Sequence, residues 1–380
     1  MTADPSSAAK ACVRCIMNRA ADPLISFDAH GLCNHCQRYD RLVDVRTFRG
    51  EQARRELTAL VEKIRGAGAG REYDCIVGVS GGVDSTYTAY RVKQLGLRAL
   101  AVHLDNGWDS ELAVKNIERV LKRLDIDLYT YVIDWNEFRD LQLAFLRAST
   151  PDGEIPTDHA INALLWHQAA RRGIRYIISG MNFATESVSV PHWSYGHSDW
   201  RYIKDVHRRF GHLPLKTFPR FSLLELAWIN VVRRVRIVSL LNYVEYNKAD
   251  AIATLKEQLG WVEYGGKHHE SLYTRFYQAW VLPRKFGIDK RWAHLSDLIN
   301  SGQMTREAGL REIAQPAAPA DILDQDREYA VKKLGLSDDE FEEIMQLPVR
   351  SFRDFRNSFA FVERLKWLVD WMRERGWYAR

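Results

Sequence analysis

Cysteine is scarce in this chain, with five in 380 residues. No apolar run reaches the length of a membrane span, and the N-terminus has no signal-peptide core. These absences predict a cytoplasmic protein with no membrane partner, in a compartment where disulfides are not expected. Charge of one sign does not dominate either. The net charge of +5 suits anionic small molecules and does not require nucleic acid, so no nucleic-acid partner is expected. Internal repeats and low-complexity tracts are missing. What remains is an ordinary soluble composition, long enough for two or three domains, with a high count of 12 tryptophans. That count fits carbohydrate stacking and a large helical core equally well.

The few cysteines are not scattered. Cys12-x-x-Cys15 and Cys33-x-x-Cys36 form two knuckles, with Gly31 supplying a tight turn before the second. The spacing predicts a closed, structural four-cysteine zinc site, because so short a segment lacks core enough to fold without a staple. The fifth, Cys75, falls on a predicted strand and reads as a buried, inert thiol.

That strand, Cys75-Ile76-Val77-Gly78-Val79, runs into Ser80-Gly81-Gly82-Val83-Asp84-Ser85, which opens a helical pattern. Strand, small-residue turn and helix start make an anion cradle. Two glycines let the backbone approach, and helix N-terminal amides point at phosphate oxygens. Ser80 and Ser85 add hydroxyls, and Asp84 is a candidate magnesium ligand. The Gly-Lys-Ser/Thr ending of a Walker A loop is missing.

Beyond the loop, strands alternate with helices. Strands are predicted at 98–104, 128–133 and 174–179. Helices are predicted from the Ser110 cap, from about residue 157 to Gly173, and from the Asn247 cap to Gly260. The alternation implies a parallel, doubly wound α/β sheet, whose ligands bind at the carboxyl ends of the strands. Asp105, Asn106, Gly180 and Asn182 fall there, with Glu186 following. Residues 200–240 are expected to be basic and then helical, and the remainder mainly helical. The organisation expected is a disordered tail at 1–10, a zinc ribbon at 11–45 and a helix and linker at 46–70. A nucleotide-binding domain at 71–235 and a helical substrate or partner region at 236–380 complete it.

The 80–85 loop resembles that of the PP-loop ATP pyrophosphatase superfamily, whose sheet is of the adenine nucleotide alpha hydrolase type. Its members cut ATP between the α and β phosphates and transfer AMP to a carbonyl oxygen. Further segments are similar to the N-acetyl sugar amidotransferases of bacterial surface-polysaccharide and O-antigen synthesis. These include Tyr73-Asp74-Cys75, Ile155-Pro156-Thr157-Asp158-His159-Ala160-Ile161, Ser179-Gly180-Met181-Asn182-Phe183-Ala184-Thr185-Glu186 and Tyr202-Ile203-Lys204. Lys216-Thr217-Phe218-Pro219, Tyr264-Gly265-Gly266-Lys267-His268-His269-Glu270-Ser271, Phe286-Gly287-Ile288-Asp289-Lys290-Arg291 and Ser301-Gly302-Gln303-Met304-Thr305-Arg306 also match. Val83 departs from the many relatives that carry Lys there. Ala184 and Thr185 replace acids common in the superfamily, leaving Glu186 and Asn182 beside Asp84 as magnesium candidates.

The resemblance implies an AMP-forming carbon–nitrogen ligase using ATP, Mg²⁺ and structural Zn²⁺. It would adenylate the acetamido oxygen of an N-acetylated, nucleotide-linked acidic sugar and replace that oxygen with ammonia. It implies Lys267, His268, Glu270 and Lys204 as catalytic candidates, together with Asp158 and His159, which also read as a helix cap and a core histidine. No glutaminase is evident in the chain, so the resemblance implies separate glutaminase and cyclase-like subunits. Two other readings stand: a tRNA-thiolation enzyme, favoured by the basic, aromatic stretch at 200–221, and a non-catalytic nucleotide-binding module. The oligomeric state is left open, homo-oligomer included.

Overall fold

The computed structural model describes residues 11–264, 270–365 and 367. The predicted tail at 1–10, together with Lys267 and His268, lies outside them. Among the described residues no helix is long and apolar enough to cross a membrane.

The chain begins in two hairpin-like knuckles, closed by antiparallel bridges between Ala11 and Asn18 and between Phe27 and Cys33. Helices α1 (Asn34–Arg46) and α2 (Gly50–Ala67) follow. The linker within the predicted 46–70 segment is short, because α2 runs through Gly66 and Ala67.

Strand β1 (Cys75–Gly78) leads to α3 (Val83–Gln94), β2 (Ala99–Asp105), α4 (Glu111–Leu124) and β3 (Asp127–Val132). Ser110 caps α4, accepting from the Ala113 amide at 3.2 Å as its sequence position predicts. Then come α5 (Trp135–Ala148), α6 (Ile155–Arg172), β4 (Tyr176–Ser179), α7 (Trp200–Phe210), α8 (Leu223–Val231) and β5 (Arg236–Ser239). The strands form one all-parallel sheet in the order β3-β2-β1-β4-β5, with Ile76 registered against Leu100 on one side and Ile177 on the other.

Alternation along the strands assigns the two faces. Cys75, Val77, Ala99, Ala101, Ile178 and Val238 pack beneath α3 and α4. Ile76, Leu100, Val102 and Ile177 point the other way, into the core with α5 and α6. Both faces of the central strands β1, β2 and β4 are covered, and these strands are almost uniformly apolar, whereas the edge strand β3 is largely exposed. The expected fold class is therefore the one found.

The fifth strand is a correction. The predicted boundary at 235 cuts the sheet, because β5 pairs with β4, Ile177 against Ile237. The α/β unit also takes in α9 (Lys248–Leu259), which packs on α3 and is capped by Asn247.

The rest of the described chain is mainly helical, as predicted: α10 (Leu272–Phe276), a wide π-helical segment at Tyr277–Phe286, α11 (Arg291–Asn300), α12 (Arg306–Ile313), α13 (Ala320–Leu334), α14 (Asp338–Gln346) and α15 (Phe359–Arg364). It joins the sheet by a main-chain stitch. The Ser110 amide donates to the Glu270 carbonyl at 2.9 Å, and the Leu272 amide donates to the Trp108 carbonyl at 2.9 Å.

Candidate functional site

Strand order reverses direction between β1 and β4, which makes the crevice beyond their carboxyl ends the favoured ligand position of such a sheet. The 80–85 loop follows β1 and Gly180 follows β4, so sequence and topology converge there. At Gly81 the backbone is left-handed (φ +81°), and an added Cβ would lie 3.0 Å from the Ala113 carbonyl oxygen. The Gly81 carbonyl accepts from Trp261 Nε1 at 2.9 Å and from the Tyr264 hydroxyl. Those two donors fix the peptide plane that carries the Gly82 N–H.

The start of α3 is left open. Gly82 is its N-cap and provides no side-chain acceptor, so first-turn amides keep their donor capacity. The serine hydroxyls meet at 3.2 Å, and Ser85 Oγ accepts from the Ser80 amide at 3.2 Å. Ser80 and Ser85 thus brace the cradle as well as offering hydroxyls to it. Gly180 is required by contact: a Cβ would fall 2.9 Å from the Ser85 nitrogen. The end of β4 therefore lies directly against the first turn of α3.

Asp84 is bonded by the Tyr246 hydroxyl, and burial together with the Asp84 charge pushes that phenol well above its usual range. Glu186 is exposed and adds its charge at the same tyrosine. The two carboxylates thus share a neighbourhood with hard oxygen donors suited to magnesium. No helix begins at Glu186, so the alternative of a helix-start carboxylate is not what the fold provides.

Asn182 is a brace. It is buried, and its Oδ1 accepts from the Thr185 amide at 3.0 Å and the Thr185 hydroxyl at 3.2 Å. Asp105 accepts from the Gly107 amide at 2.9 Å, while buried Asn106 reaches across to Thr157 Oγ1 at 3.4 Å. That contact brings the start of α6 to the carboxyl edge of β2.

Glu270 arrives from the far side. A Cβ on Gly82 would stand 3.0 Å from Glu270 Oε1, which places this predicted residue over the loop.

Three other predicted residues change meaning. His159 is fully buried, with Nδ1 donating to the His197 carbonyl at 2.8 Å and Nε2 accepting from the Phe221 amide at 3.3 Å. It stacks on Phe221, and burial pulls its imidazolium down to about 4. Both nitrogens are committed, so it is a core histidine and not a catalytic one. Asp158 does not cap α6, whose N-cap is Glu154; it sits in the first turn, 3.2 Å from His197 Nε2. Lys204 is exposed on α7, which packs against α5 on the face opposite α3. No described contact brings it to the loop.

His197 was not visible as a site residue in the sequence, and neither were Asp152, Glu154 and Lys290. It lies between Asp152 and Asp158, 3.2 Å from each. Glu154 pairs with Lys290 at 3.1 Å. The run at 286–291 carried the one sequence signal, as a matched segment with no role attached.

The cysteines behave as predicted. All four are fully buried, with Cys12–Cys36 and Cys15–Cys33 sulfur distances of 3.8 and 3.7 Å. Those exceed a disulfide bond, and they match the edge of a tetrahedron with zinc–sulfur bonds of about 2.3 Å. Amides of Met17 and Cys33 donate to Cys15 and Cys12 sulfurs at 3.4 Å, as suits thiolate ligands. Among the described residues this is the one group of three or more His, Cys, Asp or Glu side chains close enough to share an ion. Cys75 is buried in β1, its thiol pushed well up by burial. The aromatics of the basic stretch are core: Tyr202, Phe218 and Phe221 are buried rather than displayed.

The stitched-on C-terminal region supplies the deciding comparison: residues 270–366 match the model for the C-terminal domain of LPS biosynthesis protein WbpG-like sequences. The C-terminal region is similar to that domain. Its match begins at Glu270, the residue placed over the loop.

Over 84% of this chain and 99% of the other, it is 21% identical to the uncharacterized protein MJ1599 of Methanocaldococcus jannaschii. A stretch of 74 residues, 19% of this chain and 14% of the relative, is 43% identical to the GMP synthase (glutamine-hydrolyzing) of Pyrobaculum aerophilum. Among solved structures, NMN synthetase from Francisella tularensis aligns over 76% of this chain and 98% of its own, with 13% identity and a TM-score of 0.37. A predicted subunit of tRNA methyltransferase from M. jannaschii aligns over 48% and 74%, with 14% identity and a TM-score of 0.28.

Proposed function

We propose that this chain is an AMP-forming, ATP-dependent amidotransferase that converts the acetamido group of an N-acetylated, nucleotide-linked acidic sugar into an acetamidino group. The observation carrying the reading is the uncapped start of α3 at the sheet's switch point, with the first residue of the WbpG-like region over it. On this reading the phosphate cradle and the WbpG-like region serve one cleft.

An acetamido carbonyl resists ammonia, because resonance shields the carbon and oxide is a poor leaving group. The chain's part is to hold ATP with the α phosphorus toward that carbonyl. Amides of the α3 first turn, with Ser80 and Ser85, hold the phosphates and stabilise charge on departing pyrophosphate. Asp84 and Glu186 are the residues that would hold magnesium, which supplies Lewis-acid stabilisation of the phosphates when bound. Adenylation turns the oxygen into part of a good leaving group, and ammonia then replaces it with release of AMP.

Ammonia is expected from a separate glutaminase, with a cyclase-like subunit beside it. All five cysteines are accounted for by the four-sulfur cluster and the buried Cys75. That leaves no thiol for a glutaminase of the chain's own or for sulfur transfer to tRNA.

The test is turnover of the purified chain with ATP, magnesium, an ammonium salt and a panel of nucleotide diacetamido-uronic acids. AMP and pyrophosphate should appear only with acceptor, and mass spectrometry should show oxygen replaced by NH. Formation of ADP and orthophosphate during productive turnover would overturn the reading. Turnover driven by glutamine with the single chain would overturn the separate glutaminase.

A further inference from the structure

At the start of α6 three carboxylates face two cations. Asp152 and Asp158 each lie 3.2 Å from His197 Nε2, and Glu154 accepts from Lys290 Nζ at 3.1 Å and Gln278 Nε2 at 2.8 Å. Asp152 also takes the Ser194 hydroxyl and the Glu154 amide. With every group charged, the cluster keeps one negative charge in excess.

The cluster has a floor and a mouth. Asp152 and Glu154 are buried, whereas the Asp158 and His197 side chains are 47% and 40% exposed. The Asp152 and Asp158 carboxylates hold His197 up at about 9. Tyr273 is a further buried group that these carboxylates influence. It is 2% exposed, its hydroxyl has no hydrogen-bond partner, and that hydroxyl feels the charges of Glu154 and Asp152. An orphaned buried hydroxyl beside excess negative charge calls for a small ligand that both donates hydrogen bonds and carries positive charge.

A divalent metal does not fit, because none of these side chains belongs to a group close enough to share an ion. A substrate carboxylate would meet three like charges. Ammonium suits the site: it is cationic, small, and donates in four directions. The Asn106–Thr157 contact at 3.4 Å sets this cluster against the strand ends where the adenylated acceptor would lie.

We propose that Asp152, Glu154, Asp158, His197, Lys290 and Tyr273 form the ammonium-receiving site of this protein, with Asp158 as the group that takes the proton. The assignment rests on the amidotransferase reading. Ammonium passes one proton to the Asp158 carboxylate. The freed nitrogen lone pair forms the C–N bond at the imidate carbon, and the C–O bond breaks with its electrons leaving on AMP. The nitrogen's three hydrogens are kept, one moving to the sugar nitrogen, so the product is the amidinium cation.

Thermal unfolding of the full chain in ammonium chloride is compared with tetramethylammonium chloride and potassium chloride at matched ionic strength. Ammonium should raise the midpoint saturably, and neither other cation should. Asp158→Asn should weaken the apparent ammonium affinity by about tenfold, the usual scale for losing a charged hydrogen-bond partner. Asp158→Glu should restore much of it, and near-UV circular dichroism checks that both variants fold.

Equal midpoints in all three salts, an equal effect of potassium, or an unchanged response in Asp158→Asn would each overturn the site. Acceptor-dependent AMP formation is followed on the same preparations. AMP without an ammonium-specific midpoint shift sinks the site and spares the amidotransferase reading, whereas the shift without AMP does the reverse.

Discussion

Single residues at the cradle have sharply different tolerances. Gly81 combines a left-handed backbone with a Cβ direction occupied by the Ala113 carbonyl and Tyr264. Gly81→Ala should weaken ATP binding by at least about tenfold, read by isothermal titration, because the peptide plane beneath the phosphates must shift. Tyr246→Phe removes a hydroxyl from Asp84. The variant should keep ATP binding and change its magnesium dependence; an unaltered magnesium titration would show that Asp84 does not meet the metal. At this scale the sequence was most legible where one motif carried its own geometry. Ser80, Gly81 and Ser85 do meet at a strand-to-helix turn, and the four cysteines do cluster. His159 misled because a histidine in a matched segment looks the same whether its nitrogens are open or spent. Only the fold supplies the His197 carbonyl and the Phe221 amide that spend them.

Elements were legible in proportion to their own patterning. Helices with caps and strong periodicity, α4 and α9, stand close to where Ser110 and Asn247 put them. Strand β5 was hidden because it is four residues long, begins with arginine and lies at the sheet edge, so half of it is solvated. Helix α5 was hidden in a different way: Glu137 and Asp140 sit on its buried side and break the apolar stripe. Their carboxylates are spent on amides of the segment after α7, Thr217 and Phe218 for Glu137, His212 and Leu213 for Asp140.

Within α6, His159 yields a pH prediction. Its folded value of about 4 lies below the ordinary 6.5, so the unfolded chain binds the proton more readily. Its contribution is therefore complete above about pH 6.5 and is lost as pH falls toward 4, to a total of roughly 3 kcal/mol. Urea unfolding at pH 7 and pH 5 should show a loss for the native chain that is reduced in His159→Asn. Equal losses in both would assign the pH dependence elsewhere.

Over the whole molecule, the ribbon is tied to the cleft by more than sequence order. Arg306 donates to the Cys15 and Cys12 carbonyls at 3.1 and 3.2 Å, joining the ribbon to α12. Tyr39 of α1 stacks on Phe183 at 5.2 Å, and Arg38 donates to the Ser187 carbonyl at 2.5 Å. Both ends of the segment holding Glu186 are thus gripped from α1, while Asp297 accepts the Ser187 and Val188 amides at 3.0 and 2.8 Å from the other side. Zinc loss should therefore act at a distance. Cys33→Ser should lower bound zinc by elemental analysis and also weaken magnesium-dependent ATP binding. Full nucleotide affinity in a zinc-free chain would separate the ribbon from the cleft. None of this linkage could be read from spacing, because it joins residues nearly 300 positions apart.

The seam between 108–110 and 270–272 carries two main-chain hydrogen bonds. Those two bonds hold whatever side chains the positions carry, and Trp108 adds packing on Tyr273 at 5.1 Å. The wall of the cleft can be refitted to a different acceptor without the two halves coming apart.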